Sequence, residues 1–356
     1  MNSYVISDQH FSIFMENLIK SATVIAPVAK RIAFDFERLT DFKELRLDYD
    51  VTLLPPKKAF FPPYQTILKF NEDRYQENIN PVKKILFGVH FYDIKALDMT
   101  DLLFSENNYD AHYMSNRNAT TIVGSSIQKI SPRAFFSSIC FSVEPKGHDA
   151  FLTKLKTGYL FEVFSSKGEE LLLYGTFSKA SDEIKEEGIK VNESVLNKCP
   201  QSLNYSSEQI ASKVRGEFDN EKFWKDASDF CFSCGSCNTT CPTCYCFDVV
   251  DTWNVDQHSG SRTRLWDACL TKEFAEITVG SASTGSSTGP SAGKRTFENF
   301  REHRFQRFRH RFMRKAAYLN EKLGGTLACV GCGRCCSACT VDIADPSRVI
   351  NKVMEV

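Results

Sequence analysis

CFSCGSCNTTCPTCYC, residues 231–246, places six cysteines in sixteen residues. Four of them, Cys231, Cys234, Cys237 and Cys241, follow the spacing C-x2-C-x2-C-x3-C, with Pro242 directly behind. The same spacing returns in CVGCGRCCSAC, at Cys329, Cys332, Cys335 and Cys339. Two copies of it are the signature of a bacterial-type two-cluster ferredoxin module. A cubane cluster needs four thiolates at tetrahedral corners. The tight loop supplies three, and Gly235, Gly331 and Gly333 let the backbone wrap closely. The fourth thiol of each run points away and serves the other cluster. The spacing therefore predicts one [4Fe–4S] cluster on Cys231, Cys234, Cys237 and Cys339, and a second on Cys329, Cys332, Cys335 and Cys241. Zinc is the competing reading. Zinc sites use four ligands split into two pairs, which fits two such runs poorly. Thr340 stands where the second run would usually carry proline, and no ligand is lost by it.

Composition sets the frame around these runs. The chain has 356 residues, enough for two domains, with 42% hydrophobic and 25% charged residues. Its formal net charge is zero, which argues against a global electrostatic grip on nucleic acid or an anionic membrane. No apolar run reaches about 18 residues, so no transmembrane helix is expected. The N-terminal stretch reads as neither a secretory nor a twin-arginine signal, and the chain is expected to be cytoplasmic. Fourteen cysteines in such a chain are reduced thiols or metal ligands, and twelve of them lie after residue 230.

The expected fold class is α+β: a mixed α/β N-terminal domain, then a mainly helical domain containing a split ferredoxin module. The N-terminal domain is placed at 1–205, a linker at 206–218 and the dicluster domain at 219–356. Residues 11–20 suit an amphipathic helix, and 82–104 a buried strand followed by a helix. Residues 120–127, 158–166 and 170–176 look like strands, and the proline-rich 53–64 like an extended loop. No G-x-G-x-x-G follows a strand, so no dinucleotide fingerprint is present. Between the two cysteine runs, 247–328 is an inserted segment, with a Gly/Ser-rich surface loop expected at 280–293. The stretch 294–315 reads as one helix. Its aromatic face is Phe297, Phe300, Phe305, Phe308 and Phe312; its cationic face is Arg301, Arg304, Arg307, Arg311 and Arg314.

CPTCYCFDV (241–249), R-x-R-x-W-x-x-C from Arg262 to Cys269, the FRHRFMRK helix and CVGCGRC (329–335) resemble one family of iron–sulfur subunits. It includes the beta subunit of cytoplasmic [NiFe] sulfhydrogenases and the electron-carrying iron–sulfur subunit of anaerobic sulfite reductase. PPKKAFFPP (55–63) and ILFGVHFYDIKAL (85–97) are similar to its N-terminal segments. The resemblance implies an electron carrier between a flavin- and nicotinamide-binding subunit and a catalytic subunit bearing [NiFe] or sirohaem. Tyr92 stands where relatives usually have cysteine, and Cys140 is single where a Cys-Phe-Cys pair is common.

Several features lie outside the two runs. Cys244, Cys246 and Cys269 are either buried free thiols or a third metal centre, and their recurrence in the resembling family favours function. His258, Asp267 and Cys336 are the candidate fourth ligands, although Cys336 reads first as a non-ligand. Cys140 and Cys199 read as structural. The arginines of 294–315 read as a solvated or carboxylate-paired face that also raises cluster potentials and docks an acidic partner. Stacking on nucleic acid is disfavoured, because the phenylalanines are in core phase. No catalytic nucleophile, paired carboxylate motif or phosphate loop is recognisable, and the seven histidines are scattered. The chain thus reads as an iron–sulfur relay between a flavin/NAD(P)- or ferredoxin-linked subunit and a catalytic subunit of [NiFe] hydrogenase, sulfite or heterodisulfide type. The alternative is an independent redox enzyme or sensor with its own cofactor in the N-terminal domain.

Overall fold

The computed structural model describes residues 2–140, 144, 146–279 and 296–356. The Gly/Ser-rich stretch expected as a surface loop, 280–293, lies outside them.

Eight strands form one mixed sheet. They are β1 (Asn2–Ile6), β2 (Val24–Lys30), β3 (Ala33–Arg38), β6 (Lys84–His90), β7 (Thr120–Ser125), β8 (Ala150–Lys154), β9 (Tyr159–Val163) and β10 (Ser178–Lys179). Their spatial order is β10-β1-β9-β8-β7-β6-β2-β3. The pairings β2–β6, β6–β7 and β7–β8 are parallel, and the rest are antiparallel. Apolar residues on both faces of β6 place it at the centre, as a sheet covered on both sides requires. Ile85 and Phe87 enter one core, which the helix Asp8–Ser21 closes with Phe11, Phe14, Met15 and Leu18. Leu86 and Val89 enter the other core. The alternation slips between Phe87 and Val89, where the register with β7 shifts and Gly88 takes a φ of 79°. A bulge of this kind re-aims the residues that follow. Here these are His90 and the helix Phe91–Ser105.

The second core joins the two ends of the chain. It holds Leu86, Phe91, Tyr92 and Ile94 together with Trp224, Phe305, Phe308 and Phe312. Cys231, Cys237, Cys329, Cys332 and Cys335 of the two ferredoxin-type runs belong to the same core. A smaller sheet crosses between the halves as well. It consists of β4 (Tyr64–Asn71), β5 (Tyr75–Glu77), β11 (Phe247–Trp253) and β12 (Ser259–Trp266), in the order β11-β12-β4-β5. The inserted segment thus supplies a hairpin that pairs with a strand of the N-terminal half. A third pair, β13 (Glu276–Val279) with β14 (Thr296–Asn299), is antiparallel.

Four sequence expectations change. Residues 170–176 are not a strand: a helix ends at Leu171 and a 3-10 turn covers Leu172–Tyr174. The loop 53–64 contains a 3-10 turn at Pro56–Ala59, which proline at its first position favours. The helix Ser207–Gly216 fills most of the stretch expected as a linker, and its Ser206–Gln209 capping box fixes where it begins. The Arg/Phe helix is shorter than its periodicity suggested. It runs Arg304–Met313, while Phe297 lies in β14, and Phe297 and Phe300 are exposed. The capping box of His303 with Gln306 marks its start.

Candidate metal centres

The two cysteine runs fold as near copies. In each, a glycine in the left-handed region, Gly235 (φ 76°) or Gly333 (φ 81°), opens a short helical turn, Ser236–Thr239 or Arg334–Ser337. Two residues after the first cysteine the chain is left-handed again, at Ser233 (φ 55°) and Gly331 (φ 65°). The second loop needs glycine there for a further reason. A Cβ on Gly331 would lie 2.5 Å from the backbone nitrogen of Phe136. That loop is pressed into the N-terminal half, with the Phe135 amide donating to the Gly331 carbonyl at 2.8 Å. Its Arg334 is buried and forms a bidentate pair with Asp93 at 2.6 Å, and it also donates to the Thr52 carbonyl. The first loop instead reaches the surface, where Cys234 is exposed.

The thiols gather across the two runs. Cys339 is a neighbour of Cys231 and of Cys237, and Cys335 also neighbours Cys237. Cys241 is a neighbour of Cys329, Cys332 and Cys335. Among the described residues no three His, Cys, Asp or Glu groups close tightly enough to grip a single ion. A cubane spreads its ligands over four corners, so wider spacing suits it.

The electrostatics decide what these thiols are for. Arg307, Arg311 and Lys315 follow one another at four-residue spacing, on one side of the Arg304–Met313 helix and its continuation. All three are buried, so Arg307 and Arg311 of the expected cationic face point inward, while Arg304 of that face is exposed and Arg301 and Arg314 are half-buried. Arg311 Nε donates to Cys237 Sγ at 3.2 Å and its Nη2 to the Cys237 carbonyl at 3.2 Å, while its buried Nη1 has no partner. Lys315 Nζ donates to Thr243 Oγ1 at 2.5 Å. Lys57 Nζ donates to the Cys244 carbonyl and lies 4.5 Å from the centre of the Trp266 ring. Among the described residues none of Lys57, Arg311 and Lys315 has a carboxylate partner. Burial alone pulls a lysine toward its neutral form, while an arginine stays charged and carries the full cost of desolvation. Burial pulls Lys57 down to about 8, whereas for Arg311 and Lys315 negative charge on the surrounding sulfurs outweighs burial and holds the charge. Burial pushes Cys237 and Cys329 up to about 12, while hydrogen bonds from Cys244 and Cys336 hold Cys241 and Cys335 down. Neutral thiols leave buried cations uncompensated, a cost of several kcal/mol per ion. Thiolates bound to iron remove it, because thiolate-ligated clusters carry net negative charge. The donor set fits iron–sulfur clusters on this ground.

The three remaining cysteines of interest also come together. Cys244, Cys246 and Cys269 line one cavity with Asn238, His310, Arg311, Arg314 and Lys315. A hydrogen bond from Cys269 holds Cys246 down to about 6, and Cys269 is raised in turn. The structure places none of the candidate fourth ligands there. His258 is exposed and meets Glu72, and Asp267 accepts from the Ala268 amide. Cys336 gives its hydrogen bond to Cys335. His310 lines the cavity instead. It was hidden among the arginines of the helix, and its position one residue before Arg311 was the available signal.

A family of 4Fe-4S dicluster domains matches residues 230–343, a span that encloses both cysteine runs and the segment between them. Sulfhydrogenase 2 subunit beta of Pyrococcus furiosus is 31% identical over 351 residues, covering 98% of this chain and 97% of the relative. The chain belongs to the sulfhydrogenase beta-subunit family. No solved structure matches it. As a member of the sulfhydrogenase beta-subunit family it is a 4Fe-4S electron-transfer protein of the oxidoreductase class. Among the described residues no helix is long and apolar enough to cross a membrane.

Proposed function

We propose that this beta-type subunit relays electrons inside a multisubunit oxidoreductase, between a flavin/NAD(P)- or ferredoxin-linked subunit and a catalytic subunit. Cys231, Cys234, Cys237 and Cys339 would hold one [4Fe–4S] cluster, and Cys329, Cys332, Cys335 and Cys241 the other. The observation that carries this reading is the enclosure of crossed thiol sets by buried cations without carboxylates. When bound, such clusters supply one-electron transfer. The chain's own residues set its energy and its port. Arg311 offers a charged N–H to Cys237 sulfur, an interaction that favours the more negative, reduced state. Arg311→Met is therefore expected to lower the reduction potential of one cluster, read by EPR-monitored redox titration. An unchanged potential would remove Arg311 from that role.

The port lies at the first loop. Phe230 and Phe232 are each 70% exposed on either side of Cys231, and Cys234 is exposed beside them. Large aromatics left in water around a redox site mark a contact surface for a partner subunit. Phe230→Glu with Phe232→Glu should slow electron exchange with the partner subunits at least tenfold while the cluster EPR signals stay as they were, about 1.4 kcal/mol or more of lost docking. Equal rates would move the port elsewhere. A flavin or sirohaem absorbance in the isolated chain would overturn the carrier reading in favour of an independent enzyme.

A further inference from the structure

Two clusters suffice for the relay, yet a second set of thiols surrounds its own cavity. We infer that Cys244, Cys246 and Cys269, with the His310 imidazole as fourth ligand, hold a third iron–sulfur cluster of the cubane type.

The backbone brings the thiols together. Cys246 immediately precedes β11 and Cys269 lies three residues beyond β12, and the hairpin pairs Phe247 with Trp266 at its base. The Asp267 amide donates to the Cys246 carbonyl at 3.0 Å, which closes that base. Cys244 and Cys269 meet at one side chain: Asn238 Nδ2 lies 3.6 Å from the first sulfur and 3.2 Å from the second. Amide donors to ligating sulfur are a common way to hold and tune a cluster.

The cavity they line measures about 40 Å³, above the ~10–15 Å³ that one water requires. Its lining contains no carboxylate but does contain Arg311 and Lys315. Arg311 is 1% exposed, and its Nη1 is the buried atom that finds no partner in the protein. A buried guanidinium with a spare donor beside a thiol-lined cavity calls for an anion. A thiolate-bound cluster supplies both net negative charge and sulfur acceptors at that point. His310 is the remaining ligand-type side chain on the lining, and among the described residues its ring makes no hydrogen bond. Single-ion binding is disfavoured by the same spacing that disfavours it in the two main sites. The Cys241 and Cys244 thiols also lie against each other, so the third cluster would adjoin the one that Cys241 serves.

The test counts metal in the full-length chain, produced without oxygen and reconstituted with ferrous iron and sulfide. About twelve irons and twelve acid-labile sulfides per chain are expected, and Cys246→Ser or Cys269→Ser should reduce both to about eight while two cluster EPR signals persist. His310→Ala should keep the three-thiolate attachment but change the EPR signature of this cluster, with conversion to a three-iron form on oxidation. Wild-type protein with about eight irons, or iron content untouched by Cys246→Ser, overturns the third cluster and leaves the two-cluster relay standing. One zinc per chain that disappears with Cys246→Ser overturns it too. An unchanged spectrum for His310→Ala removes His310 as the ligand. Absence of iron from the reconstituted wild type would sink the relay itself, so the two readings fail separately.

Discussion

Cys241→Ser abolishes the cluster of the Cys329–Cys335 loop and spares that of the Cys231–Cys237 loop to which Cys241 is joined. This is the expected result of the crossed thiol arrangement. Cys241 neighbours Cys329, Cys332 and Cys335, and Lys315 neighbours both Cys241 and Cys329. Cys339→Ser should do the reverse, because Cys339 neighbours Cys231 and Cys237. Serine is a poor ligand for this iron, so each variant should lose about four irons and one of the two fast-relaxing EPR signals. Matched pairs make the result decisive. The signal lost in Cys241→Ser must be the one lost in Cys332→Ser, and the signal lost in Cys339→Ser must be the one lost in Cys234→Ser. If Cys241→Ser and Cys234→Ser silence the same signal, each run holds its own cluster and the crossed sets are wrong.

The second large effect concerns stability. Asp93→Asn should destabilise the chain by about 3–5 kcal/mol, the usual cost of breaking one side of a buried ion pair. Arg334 and Asp93 are 1% and 0% exposed, and their two hydrogen bonds of 2.6 Å are the charged link between the second cysteine loop and the helix Phe91–Ser105. Without the carboxylate, the guanidinium keeps only the Cys332 sulfur, the Tyr92 ring and the Thr52 hydrogen bonds as partial compensation. The check is a denaturant midpoint of the anaerobically purified chain, with Arg334→Met and the double variant completing a cycle. The double variant should recover a large part of the loss, since neither charge is then left alone. A loss below about 1 kcal/mol for Asp93→Asn would show that the pair does not anchor the loop.

These two predictions draw on different layers of the molecule. The cysteine runs are local: spacings of two and three residues fix which thiols one tight loop presents, and Gly235 and Gly333 serve the left-handed turn before each short helix. The strand 84–90 and the helix after it were legible locally too, as an apolar run followed by a longer stretch rich in helix-forming residues. The 170–176 stretch misled because apolar residues in a short run do not distinguish a strand from a helical turn. The cationic stripe misled in another way. Periodicity marks which residues share a helix face, but not whether that face meets water or a ring of thiols. Arg307 and Arg311 therefore looked like surface charge and are interior, whereas Arg304 of the same stripe is exposed.

Sequence alone determined the chemistry that this protein can host: two repeated thiolate loops, the residue types around them and the family they belong to. Tertiary structure alone decided how the loops are embedded. It pairs β4 with β12 across nearly two hundred residues, sets Asp93 against Arg334, and buries Arg307, Arg311 and Lys315, with Arg311 donating to the Cys237 sulfur. Long-range pairing of this kind leaves no local trace, because hydrophobic alternation says that a strand needs a partner without saying which one. Buried charge is equally silent in a sequence, since its compensation comes from side chains that only the folded chain brings near.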